Sequence, residues 1–110
     1  MITKESKESL DYLESILGKK PTLGDYLLAI RRGEELSQVE FAMLLGVSRQ
    51  NLCDLEHNRR FISPKMATEF AKKLGYSGKH FVRLCLQDLL NRDGIALLVE
   101  VQNTSDASAA

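Results

Sequence analysis

Apolar residues recur along this chain at three- and four-residue spacing, and the gaps between runs carry helix-capping chemistry. Residues 3–17 place Leu10, Leu13, Ile16 and Leu17 on one side of a predicted helix with charges opposite, and Gly18 ends it. Lys19-Lys20-Pro21 forms a linker. Thr22-Leu23-Gly24-Asp25 has capping-box form and opens a helix carrying Leu23, Leu27, Leu28 and Ile30 to about Gly33. Ser37-Gln38-Val39-Glu40 is a second capping box, and Ser48 caps a helix running to about His57, where Asn58 can take the left-handed conformation. Arg59 to Ile62 reads as a loop anchored by Phe61 and Ile62. Ser63-Pro64 starts the next helix, which buries Met66, Ala67, Phe70, Ala71 and Leu74 and stops at Gly75. Ser77-Gly78 begins the last helix, which Gly94 ends. The stretch Ile95–Val101 is apolar on both faces, and its Val and Ile content favours a short strand over a helical extension. The tail QNTSDASAA is small and polar, as disordered tails are.

Within this all-α pattern, Ser37 to Asn58 predicts two short helices joined by a tight turn at Gly46-Val47-Ser48. Ala42 lets the second helix come close. Val39 and Leu44 on the first helix, with Leu52 and Leu55 on the second, are expected to hold the pair together. The other face of the second helix carries Ser48, Arg49, Gln50, Cys53 and Asp54, and Arg49, Gln50, Cys53 and Asp54 share that face at i, i+1, i+4 and i+5. This is the layout of a helix-turn-helix whose second helix enters a DNA major groove. Arg bonds guanine O6 and N7 together, and Gln bonds adenine N6 and N7. Asp54 would either accept from cytosine N4 or orient a neighbouring basic side chain. Arg59, Arg60 and Lys65 follow the reading helix and are placed to grip phosphate, while Ser48 stands at that helix's N-terminus, where backbone N–H groups favour an anion.

Charge sharpens this reading. The 110-residue chain has 15 basic and 15 acidic side chains, a formal net charge of zero. Between Arg31 and Arg83, ten basic residues stand against six acidic ones, a local surplus of +4. A modest basic footprint with neutral flanks suits a specific binder better than a protein that coats DNA. Cys53 and Cys85 lack metal-ligand spacing, and His57 and His80 belong to no ligand set or nucleophile–base pair, so neither a metal nor a cofactor is expected. No catalytic constellation is present, which argues against an enzyme. No apolar run reaches membrane-span length, and a cytoplasmic, reducing home is expected.

Residues 23–74 resemble the Cro/C1-type helix-turn-helix family, also called the XRE family. The resemblance rests on Arg31, on LSQVEFAMLLGVSRQNLCDLE (36–56) and on SPKMATEFAKKLG (63–75). It implies a compact five-helix, lambda-repressor-like fold, here with an extra N-terminal helix. By that resemblance Arg49, Gln50 and Asp54 match base-reading positions. Gln38 matches a position that contacts phosphate and steadies the first reader, and Arg31 and Glu56 match a partly buried ion pair. Here the loop after the reading helix departs from the family's usual Glu-Asn-Gly, reading Glu56-His57-Asn58.

The expected organisation is an N-terminal amphipathic helix with its linker (1–20), a DNA-binding domain (21–76), a dimerising helix and strand (77–101) and a disordered tail (102–110). Phe81, Val82, Leu84, Cys85, Leu86, Leu89 and Leu90 leave the last helix apolar over most of its circumference. A homodimer interface is therefore expected from Phe81, Val82, Cys85, Leu86, Leu89, Leu90, Ile95, Leu97 and Val99, the alternative being packing against the N-terminal helix. Two functions fit. One is a homodimeric transcriptional regulator on double-stranded DNA, with repression the family habit. The other is a DNA-binding antitoxin that also neutralises a protein toxin, since small XRE-type antitoxins resemble this chain in size and in SPKMA…AKKLG followed by a last helix.

Overall fold

In the computed structural model, residues 21–104 are described, and within them five helices follow one another. They are α1 (Leu23–Gly33), α2 (Gln38–Leu45), α3 (Arg49–Glu56), α4 (Pro64–Leu74) and α5 (Gly78–Arg92). The expected N-terminal helix and linker, and residues 105–110 of the tail, lie outside the described residues.

Every helix starts where a hydroxyl side chain satisfies a free backbone N–H. Thr22 and Ser37 form full capping boxes with Asp25 and Glu40, while Ser48, Ser63 and Ser77 accept from the N–H of Asn51, Met66 and His80. The ends are less regular. Gly46 takes φ 79° and turns the chain from α2 toward α3. After α1 the left-handed residue is not Gly33 but Glu35, at φ 58°.

One core joins all five helices. Leu23, Tyr26, Leu27 and Ile30 of α1 meet Phe41, Ala42 and Leu45 of α2, Leu52 and Leu55 of α3, and Ala67, Phe70, Ala71 and Leu74 of α4. Phe81, Leu84 and Cys85 bring α5 into the same core, with Ile62 closing the loop side. Tyr26 packs edge-on against Tyr76 and Phe81, each at 5.7 Å between ring centroids, the favoured geometry for aromatic pairs. Arg92 stacks over Phe61 at 5.1 Å and holds the loop before α4.

Three expectations are corrected. Val39 and Leu44 do not hold α2 to α3; they are 52% and 44% exposed. Five residues apart, they sit about 140° around a helix from each other and cannot share a face. Phe41, Ala42 and Leu45 lie within one arc and are buried instead. Phe81 and Cys85, expected on a dimer surface, are buried in this chain's own core at 0% and 3% exposure. They fall with Leu84 and Asp88 on the single inward stripe of α5. Finally, residues 95–101 form no strand, and none occurs among the described residues. Gln87 occupies the backbone groups that a neighbouring strand would use: its Nε2 donates to the Leu97 carbonyl (2.9 Å), and its Oε1 accepts from the Val99 N–H (2.8 Å).

Candidate nucleic-acid interface

The amphipathic reading of α3 is realised. Leu52, Leu55 and Glu56 are buried, Arg49 and Gln50 are exposed, and Cys53 and Asp54 are half-buried at the rim of the outer face. Two hydrogen-bonded groups hold the outer side chains.

The first starts in the core. Arg31 Nε and Nη2 bond Glu56 Oε2 and Oε1 at 2.7 and 3.2 Å, a bidentate pair, and Arg31 Nη1 donates to the Leu36 carbonyl at 3.1 Å. The Glu56 side chain is only 1% exposed, so this carboxylate depends on its donors. Gln38 Nε2 supplies another to Glu56 Oε1 at 3.0 Å, and Gln38 Oε1 accepts from Arg49 Nη1 at 3.1 Å. A continuous series Arg31–Glu56–Gln38–Arg49 thus runs from α1 through α3 and α2 to the surface. The outermost member faces solvent with its other guanidinium donors.

The second group lies along the outer edge. Asp54 Oδ1 accepts from Gln50 Nε2 (3.1 Å) and Arg59 Nε (3.1 Å), and forms an ion pair with Arg59 Nη2 at 3.0 Å. The Arg59 hydrogen bond, helped by Gln50, holds the Asp54 carboxyl below its ordinary range, and Asp54 raises the Arg59 guanidinium in turn. Arg59 therefore stands beside α3 as the counter-charge of Asp54. Its Nη2 also lies 3.7 Å from Cys53 Sγ, and His57 Nδ1 lies 3.6 Å from that sulfur and 2.8 Å from the Cys53 carbonyl.

The structure brings Arg49, Gln50, Asp54, Gln38 and Arg59 together, with Ser48 at the N-cap of α3. Arg60 and Lys65 are exposed beyond the loop. Asn58 resolves the departure from Glu-Asn-Gly: it adopts φ 60°. Its side chain also accepts from Thr22 Oγ1 (2.7 Å) and donates to Asp25 Oδ1 (3.3 Å), which ties the loop to the start of α1.

Sequence reasoning missed Asp88. Its carboxylate is 8% exposed and accepts from the Leu23 N–H at 3.0 Å, capping α1 from α5. The signal was present, because Phe81, Leu84, Cys85 and Asp88 follow the i, i+3, i+4, i+7 spacing of a buried stripe. Lys73 was missed as well; its Nζ donates to the Leu45 carbonyl at 2.9 Å and steadies the end of α2. Among the described residues no group of His, Cys, Asp and Glu could hold a metal, and no helix is long and apolar enough to cross a membrane.

A helix-turn-helix family model matches residues 27–81, half of the chain. The matched stretch contains α2, α3 and α4 whole and most of α1. No curated protein and no solved structure matches the chain.

Proposed function

Since the chain belongs to the Cro/C1-type helix-turn-helix family, the XRE family, we propose that it regulates transcription as a homodimer, with α3 of each protomer in a major groove. Membership supports sequence-specific DNA binding in general. The observation that carries the reading further is the placement of Arg49 and Gln50. They sit side by side at the exposed start of α3, each already oriented by a hydrogen bond it donates to a neighbour, Arg49 to Gln38 and Gln50 to Asp54. Side chains at the N-terminal end of the recognition helix are those that reach base edges. Pre-orientation lowers the entropy lost when they do. Arg60 and Lys65 supply exposed charge for phosphate, contacts that fix register without carrying sequence.

One such helix reads only a few base pairs, so a two-fold site with half-sites roughly 34 Å apart is the matching target. Leu86, Leu89 and Leu90 are half-buried on α5, while Val82 packs against this chain's own core, and Ile95, Leu97 and Leu98 are 41%, 64% and 67% exposed. This apolar surface supports pairing of two copies there. A dimer seated on a promoter would act by occlusion, hence repression.

The test is selection of duplexes from a random library by the full chain, followed by titration of the winner against salt. A two-fold-related consensus is expected, with affinity falling as salt rises by a shallow slope that reflects few phosphate contacts per protomer. Equal retention of all duplexes would overturn sequence-specific reading.

A further inference from the structure

We infer that Asp54 is a positioning residue that sets specificity: its carboxylate fixes which way round the Gln50 amide faces the groove, and so commits that position to adenine. This rests on the reading of α3 as the helix that reads DNA.

The geometry allows the amide one orientation. Gln50 Nε2 lies 3.1 Å from Asp54 Oδ1, at the i, i+4 spacing where helix side chains meet. Turning the amide over would put its oxygen against a carboxylate oxygen, exchanging an attraction for a repulsion. Held this way, Nε2 gives one hydrogen to Asp54 and keeps the other beside Oε1. The free edge of Gln50 is then one donor next to one acceptor. Adenine presents the complement in the major groove, with N7 accepting and N6 donating. Guanine presents two acceptors, which leaves Oε1 opposed to an oxygen or nitrogen lone pair, while thymine has O4 and a methyl group and cytosine a lone donor.

Asp54 is poorly placed to read a base itself. Its Oδ1 already receives two donors, Gln50 Nε2 and Arg59 Nε, with the Arg59 Nη2 charge 3.0 Å away. Only Oδ2 is left to face a base, since a guanidinium and an amide already hold the carboxylate through Oδ1. Arg59, by neutralising Asp54, is what allows a carboxylate to stand on this face at all.

Random-duplex selection with the full-length wild type, Gln50→Ala, Asp54→Ala and Asp54→Asn tests the assignment, with thermal melts confirming that each variant is folded. Gln50→Ala identifies the operator column read by Gln50, and wild type should show adenine there. Asp54→Ala should lower the adenine preference in that same column by about fivefold, the worth of one side-chain hydrogen bond, and leave other columns unchanged. Asp54→Asn keeps an acceptor in place and should retain most of the preference. Three outcomes would overturn the inference: an Asp54→Ala effect on a different column, unchanged preferences, or a base other than adenine opposite Gln50. A wild type that enriches no duplex would instead remove the DNA-reading role, and this inference with it.

Discussion

Glu56 and Asp88 are the two charged residues buried among the described residues, and they are compensated very differently. Glu56 receives a bidentate guanidinium and an amide, whereas Asp88 receives the Leu23 N–H. Removing one partner of a buried pair leaves the other charge stranded, so Glu56→Ala should destabilise the fold by about 3–5 kcal/mol. Urea unfolding measures this, and a midpoint equal to wild type would mean that Arg31 and Glu56 behave as a surface pair. In Asp88 burial dominates and raises the pKa to about 6; the Leu23 N–H opposes the shift, Asp25 adds to it and Arg83 opposes it. The unfolded chain loses this proton near its ordinary value of 3.8. A folded pKa above the unfolded one means the contribution to stability is fully present below about 3.8 and is lost as pH rises through about 6. Relative to Asp88→Asn, wild type should therefore lose melting temperature between pH 4.5 and pH 7, by roughly a few degrees. Parallel melting curves for the two proteins across that range would refute the linkage.

Helices are positioned here by close approaches that sequence periodicity conveys only in part. Gly24 lets α1 lie directly on the end of α3: a Cβ at this position would meet the Leu55 carbonyl oxygen and, at 2.7 Å, Asn58 Oδ1. The first obstacle is backbone and cannot rotate away. Gly24→Ala should consequently cost about 1–3 kcal/mol or more, visible as a lower melting temperature, and an unshifted melt would show that the two helices can separate freely. In the sequence this glycine looked like an ordinary capping-box residue. What was legible were the caps, because Thr22, Ser37, Ser48, Ser63 and Ser77 act on backbone within three residues. The outward face of α3 was legible too, since i, i+1, i+4 and i+5 follow from helix geometry alone. The inward face of α2 was not. Its residues are apolar nearly all round, so periodicity offered no unique stripe, and packing selected Phe41, Ala42 and Leu45. That Asp54 orients a neighbouring basic side chain was one of two legible alternatives, but not that the partner is Arg59, which depends on the left-handed turn at Asn58 that swings the loop back along α3. The strand at 95–101 failed for another reason: strand propensity needs a neighbouring edge, and Gln87 supplies the hydrogen bonds instead.

At the scale of the whole molecule, a net charge of zero and a local surplus of +4 leave little electrostatic force for holding one domain on DNA. In the proposed dimer, affinity comes from two copies of α3 acting together, and the apolar surface beyond α5 is where the second copy would attach. Leu97 distinguishes that role from a structural one. It is 64% exposed, lies outside the core, and hydrogen-bonds through its backbone, its N–H donating to the Ile95 carbonyl and its carbonyl accepting from Gln87. Leu97→Asp should accordingly leave the monomer's melting behaviour within about 0.5 kcal/mol of wild type, as surface substitutions do. A carboxylate at a pairing surface would be buried without a partner, so sedimentation should show a monomer, against the dimer proposed for wild type. Binding to a duplex with two half-sites should fall by about 10²-fold or more, because the second contact becomes independent of the first. Binding to a single half-site should not change. If the variant remains dimeric in the centrifuge, pairing uses another face, and the exposed pair Val39 and Met43 on α2 becomes the next surface to substitute.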